Sequence, residues 1–290
     1  MFMNYKKCEL ILEMCCNHQG ILQNALDMID SACDCGVNIV KFQKRNIESW
    51  AKHKPNIYYS PHPNQANSFG RTYKEHRQKL EFSLDDHKIL IDYIHSKNML
   101  YSCSVFDIPS CKDILSISPD FIKIPSCSNS NISLLNYVCD NFNKLIHLST
   151  GMTSEKNIEK IVNLFDKKNR AKDLVLYVCT SSYPVMPKDL HLLEITKIKK
   201  LYGEKINAIG FSGHHLGTLF DNIAYTLGAT YIERHFTLNR NQKGTDHKAA
   251  LEPLEVKNLL EDLDNTYHAL TFKEHDILEV EKENLEKLKW

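Results

Sequence analysis

The chain has 290 residues, 42% of them hydrophobic, with 36 basic side chains balanced by 36 acidic ones. A formal net charge of zero gives no electrostatic case for nucleic acid or an anionic membrane as the main partner, though a local basic pocket for a small anion stays open. No signal-peptide pattern or membrane-length apolar run is present, and none of the ten cysteines shows a zinc spacing. Free, buried thiols in a reducing cytoplasm are therefore expected.

In chain order, strand-like runs alternate with helical patterns. Residues 8–16 read as the first strand, with Cys15 and Cys16 on it. Residues 21–35 follow as a helix carrying Cys33 and Cys35, which Gly36 ends by supplying a left-handed cap. Residues 38–43 make the second strand. Further strands are predicted at 99–106, 121–125, 144–150, 174–180, 207–212 and 230–237. The intervening helices are predicted at 84–97, 108–117, 131–141, 154–168, 189–202 and 217–227, with a last one at 253–269. Eight strands each followed by a helix argue for right-handed crossovers and a parallel (β/α)8 TIM barrel spanning residues 1–270. A doubly wound open sheet is the alternative, but the chain has no Gly-rich dinucleotide turn.

Two stretches stand outside the alternation. Residues 45–81 form a polar connection with Pro55, Pro61 and Pro63, long enough to suggest a lid or an interface. Residues 271–290 read as a charged, helix-prone tail or the start of a linker.

In a barrel of this kind the chemistry sits at the C-terminal strand ends. Those ends offer Glu13, then Lys41 and Gln43, Ser104, Lys123 with Ser126, and Ser149 with Thr150. Thr180 through Pro184 follow, then Ser212 with His214, Glu233 with His235, and Asp246 beyond. A lysine in a strand buried on both faces is costly unless paired. Two such lysines among serines suit a phosphate and carboxylate; a Schiff-base lysine or plain ion pairing with Glu13 or Glu233 are the other readings. Taken singly, a strand histidine is more often a core residue. Two at the same height on adjacent strands suit an open catalytic cation site completed by water and substrate oxygen. His215 should point the other way, and the role of His247 stays open.

Eight stretches in order carry a resemblance: Glu13–Gly20 (EMCCNHQG), Val40–Gln43, Lys123–Ser126, Leu148–Met152, Cys179–Pro184, Gly210–His214, Glu233–Phe236 and Gly244–Asp246. On these the chain resembles the sialic acid synthase family over about residues 8–270. The resemblance implies condensation of phosphoenolpyruvate with an N-acetylated hexose, giving a nonulosonic acid and phosphate by C–O cleavage. It implies that Lys41, Ser104, Lys123, Ser126, Ser149 and Ser212 hold phosphoenolpyruvate, with Glu13 near the reacting carbons. It further implies that Ser181, Tyr183 and Asp246 meet the sugar, and that His214 and His235 bind manganese or magnesium. A homodimer is implied as well.

The chain departs from the family pattern at Ser128, where a carboxylate is usual, at Ser181, where an asparagine is usual, and at Gly213, where an aspartate is usual. The family's small antifreeze-like C-terminal domain lies outside these 290 residues. Three expectations follow: a separate antifreeze-like cap protein, a site for a different sugar, or lost activity. These departures keep a second reading in view, a barrel that binds phosphoenolpyruvate or metal as a partner or regulatory protein.

Overall fold

In the computed structural model, which describes residues 5–290, the alternation resolves into β1 (Glu9–Glu13), α1 (Leu22–Asp34), β2 (Ile39–Lys44), α2 (Ile47–His53), α3 (Pro55–Tyr58), α4 (Tyr73–Leu80), α5 (Leu84–Ser96) and β3 (Leu100–Val105). The chain continues through α6 (Ile108–Ser116), β4 (Phe121–Ile124), α7 (Ile132–Asn141), β5 (Ile146–Ser149), α8 (Glu155–Lys167), β6 (Leu174–Cys179) and α9 (Leu193–Tyr202). It ends with β7 (Ala208–Gly213), α10 (Leu219–Thr226), β8 (Tyr231–His235), α11 (Pro253–Ala269) and α12 (Lys282–Leu288). The eight strands close in sequence order into one parallel barrel, so no strand is left with an unpaired edge. Closure is made by β1 against β8, with Glu13 opposite His235.

Alternation along each strand sorts the side chains into two sets. One set packs outward against the helices: Leu10 and Leu12 of β1, Val40 and Phe42 of β2, and Ile122 and Ile124 of β4 all belong to the large core. The other fills the lower barrel with Ile11, Ile39, Phe121, Val175 and Tyr177. Helix α1 meets the first set with Ala25, Met28, Ile29 and Ala32, one stripe at helical spacing. Helix α5 starts where Ser83 and Asp86 exchange capping hydrogen bonds with each other's backbone amides.

Three expectations need correction. The first strand stops at Glu13, because Cys15 and Gln19 take left-handed backbone angles; Cys15 and Cys16 therefore lie on the turn after β1. The polar connection 45–81 carries secondary structure that the sequence did not announce: α2, α3 and α4, which pack on one another. Cys35 lies just past the end of α1 rather than within it. All ten cysteines are free; several are buried as expected, but Cys127 is exposed. No helix among the described residues is long and apolar enough to cross a membrane.

Candidate active site

The inward set of residues, followed to the C-terminal strand ends, leads into one cavity of about 470 Å³. All twelve residues singled out from the sequence line it: Glu13, Lys41, Ser104, Lys123, Ser126, Ser149, Ser181, Tyr183, Ser212, His214, His235 and Asp246. Beneath Lys123, Tyr177 of the lower barrel core has its ring 4.5 Å from Nζ and its hydroxyl hydrogen-bonded to His147 Nδ1 at 2.8 Å. That ring needs glycine at position 210, since a Cβ there would fall 2.5 Å from it.

The charges lining the cavity form one buried cluster. Lys41 pairs with Glu13, lies 3.6 Å from Glu233 and donates to Ser104 Oγ at 2.7 Å. Lys123 Nζ lies 2.5 Å from Glu233, which also accepts from Ser212 Oγ at 3.1 Å. None of Glu13, Lys41, Lys123 and Glu233 is more than 4% exposed. The ion-pairing reading is thus realised with both acids at once. Burial, with the second ammonium of Lys123 adding to it, brings Lys41 down to about 8 against the pull of Glu233. Burial works against the Glu233 carboxylate, yet Lys123 and Lys41 outweigh it and hold that group well below the usual carboxylate range.

The hydroxyls surround this cluster. Ser126 and Ser181 press on Gly151 from two sides, each Oγ 2.5 Å from where a Cβ would stand. Ser128 does not join them: its hydroxyl donates to the Phe106 carbonyl at 2.8 Å and faces a second cavity with Trp50, Asp107 and Asn131.

At the opposite wall, the rings of His214 and His235 lie 5.2 Å apart and perpendicular, with Tyr183 packed 4.1 Å from the first. His214 Nδ1 is 3.1 Å from the Thr180 carbonyl, which can only accept, so the ring keeps its proton there and leaves Nε2 with a lone pair. Burial, and His235 beside it, lower the His214 pKa to about 3, so the ring stays neutral through the ordinary pH range. His235 is 8% exposed and its Nδ1 has no hydrogen-bond partner. Neutral imidazoles with a lone pair and an unpartnered buried nitrogen fit a divalent cation. His215 turns away, as expected, and is buried against Arg234.

Several lining residues were not singled out from the sequence. Glu233 stood in the strand-end inventory and as an ion-pair partner but was given no site role, although it joins both lysines. Arg45, Trp50, Lys54, Tyr58, Tyr73 and Arg77 reach the cavity from the insertion, where no strand periodicity marks them. Cys15 lines it too; in the sequence it continues the apolar run of the first strand and carries no mark of the turn.

Comparison with known proteins places the chain among relatives of one family. A model of the NeuB family matches residues 28–275. The chain is 36% identical over 252 residues to the N-acetylneuraminate-9-phosphate synthase of Drosophila melanogaster, a match covering 86% of this chain and 65% of that protein. It is 33% identical over 255 residues to the N,N'-diacetyllegionaminic acid synthase of Campylobacter jejuni, covering 88% and 75%. The crystal structure of an N-acetylneuraminic acid synthetase from Leptospira borgpetersenii superposes with a TM-score of 0.81 at 30% identity, covering 97% of this chain and 91% of that one.

Proposed function

The chain belongs to the NeuB family, and from that premise we propose that it is a synthase joining phosphoenolpyruvate to an N-acetylated hexose. The products are a nonulosonic acid and phosphate. The observation that carries the reading is the single cavity in which two buried lysines, a ring of serines and two neutral histidines converge. The relatives named for making N-acetylneuraminate 9-phosphate and diacetyllegionaminic acid support a sugar acid as product.

In this reading Lys41 and Lys123 take the carboxylate and phosphate of phosphoenolpyruvate, and Ser104, Ser126, Ser149 and Ser212 donate hydrogen bonds to its oxygens. Tyr183, Ser181 and Asp246 orient the open-chain sugar above it. His214 and His235 hold a divalent cation, manganese or magnesium, whose Lewis acidity activates the sugar aldehyde when bound. Carbon 3 of phosphoenolpyruvate then attacks the aldehyde carbon, whose oxygen takes up a proton. Water adds to carbon 2, and the tetrahedral intermediate expels phosphate by C–O cleavage. Glu13 and Glu233 flank the lysines and are placed to relay the proton lost by that water. No lysine forms an imine.

The test is phosphate release from phosphoenolpyruvate with manganese, across a panel of N-acetylated hexoses and a control without sugar. Release that requires one hexose is the expected result and names the substrate. Phosphoenolpyruvate binding without release under any condition would overturn the reading and leave a partner or regulatory role.

A further inference from the structure

The turn that ends β1 does something the strand ends alone would not. Cys15 has φ of 40°, in the region where glycine is the usual residue, and its amide is fixed by Glu13 Oε1 at 2.7 Å. A side chain held at such an angle points where a regular strand residue could not. Here it points at the cavity wall, where one ligand atom from each of Cys15, His235 and Asp246 lies within 4.8 Å of the others. His235 Nδ1, buried and without a hydrogen-bond partner, belongs to the same group of residues.

We propose that Cys15 and Asp246 join His235 as ligands of one divalent cation, so that the site is a thiolate–imidazole–carboxylate centre rather than a pair of imidazoles. This rests on the reading above that His235 holds a cation. Binding exchanges the Cys15 S–H proton, released to solvent, for a sulfur–metal bond. His214, whose ring is 5.2 Å from that of His235, supplies a further nitrogen or orients a bound water. Asp246 is then drawn from sugar binding to cation binding.

The consequence is metal choice. Hard oxygen ligands suit magnesium and manganese, whereas a thiolate with imidazole selects zinc, cobalt or iron(II). This chain should therefore prefer the softer ions over the manganese or magnesium that two imidazoles would accept. The trio offers a sulfur, an imidazole nitrogen and a carboxylate oxygen to one ion, and the bound dication would stabilise the thiolate that its binding creates.

The test uses cobalt as probe on the full chain after chelation and dialysis. Wild type is expected to bind one cobalt ion with a sulfur-to-cobalt charge-transfer band in the near ultraviolet. Cys15→Ser and Cys15→Gly should both lose that band and weaken cobalt binding by more than about tenfold, while Cys16→Ser keeps it. The glycine variant suits the backbone angle, so a loss of the band there cannot be put down to misfolding. Cobalt bound by wild type without the band, or a band that survives in both Cys15 variants, would overturn the proposal while leaving the cation reading intact. Failure of wild type to bind cobalt at all would overturn both. Sugar-dependent phosphate release tests the reaction separately.

Discussion

At the scale of single residues, Lys41 sets the pH behaviour of the site. Burial first, and Lys123 second, bring its ammonium down to about 8, whereas in the unfolded chain it titrates near its ordinary 10.5. As pH rises through 8 the folded protein gives up this proton first, and the ammonium that would meet an anion is lost. Phosphoenolpyruvate affinity is therefore expected to fall above pH 8, by up to about tenfold per pH unit, in calorimetric titrations from pH 6.5 upward. The sign for stability is opposite: between about 8 and 10.5 the unfolded chain holds the extra proton, so the contribution of Lys41 to stability rises across that window. Lys41→Arg keeps its charge and should flatten the binding profile. Glu233 gives a second test, since it is the acid shared by both lysines. Glu233→Gln leaves two buried ammoniums undercompensated and should cost roughly 3–5 kcal/mol of stability. Thermal unfolding should show that deficit shrinking when phosphoenolpyruvate is added, more than in wild type. Lys41 and Lys123 were legible in the sequence because a charged residue inside an apolar alternation is conspicuous. Cys15 was not, because a cysteine continuing an apolar run looks like strand until the backbone angle is known.

At the scale of elements, the loops after the strands decide which hydroxyls reach the cavity. The turn after β5 works only because Gly151 lacks a side chain: Ser126 and Ser181 occupy the space a Cβ would take. Gly151→Ala should displace both and weaken phosphoenolpyruvate binding, at a stability cost of about 1–3 kcal/mol, measured by calorimetry and thermal unfolding. Strand β8 shows how the period of two divides labour. Glu233 and His235 face the cavity, while Arg234 between them faces outward, fully buried, paired with Asp221 of α10 and donating to the His215 carbonyl at 2.7 Å. The sequence Glu-Arg-His announces three polar residues but not which of them is structural. The strands and their order were readable because alternation and helix stripes repeat eight times. The insertion was not, because α2 to α4 are short, and their capping and ring contacts, such as Tyr73 on Tyr58, follow no period.

For the whole molecule, the barrel and the segment after α11 contribute unequally. None of residues 271–290 is buried, and α12 lies outside the core. Removing residues 272–290 should leave the unfolding temperature of the barrel within about 2 °C of wild type, because little apolar surface is re-exposed. Limited proteolysis should trim this segment first and stop near the end of α11. A drop of many degrees on truncation would show that the tail braces the barrel.

The seam between the first and last strands has a consequence for synthesis. Glu13 emerges from the ribosome early, but its neighbour across the seam is His235, and the trio at the cavity wall is complete only with Asp246. A nascent chain therefore carries both lysines and most of the serines long before it can hold a cation or shield its buried acids. The ligands cannot guide the early steps of folding. On the reading proposed above, ligands would stabilise only a chain in which β8 has already docked against β1.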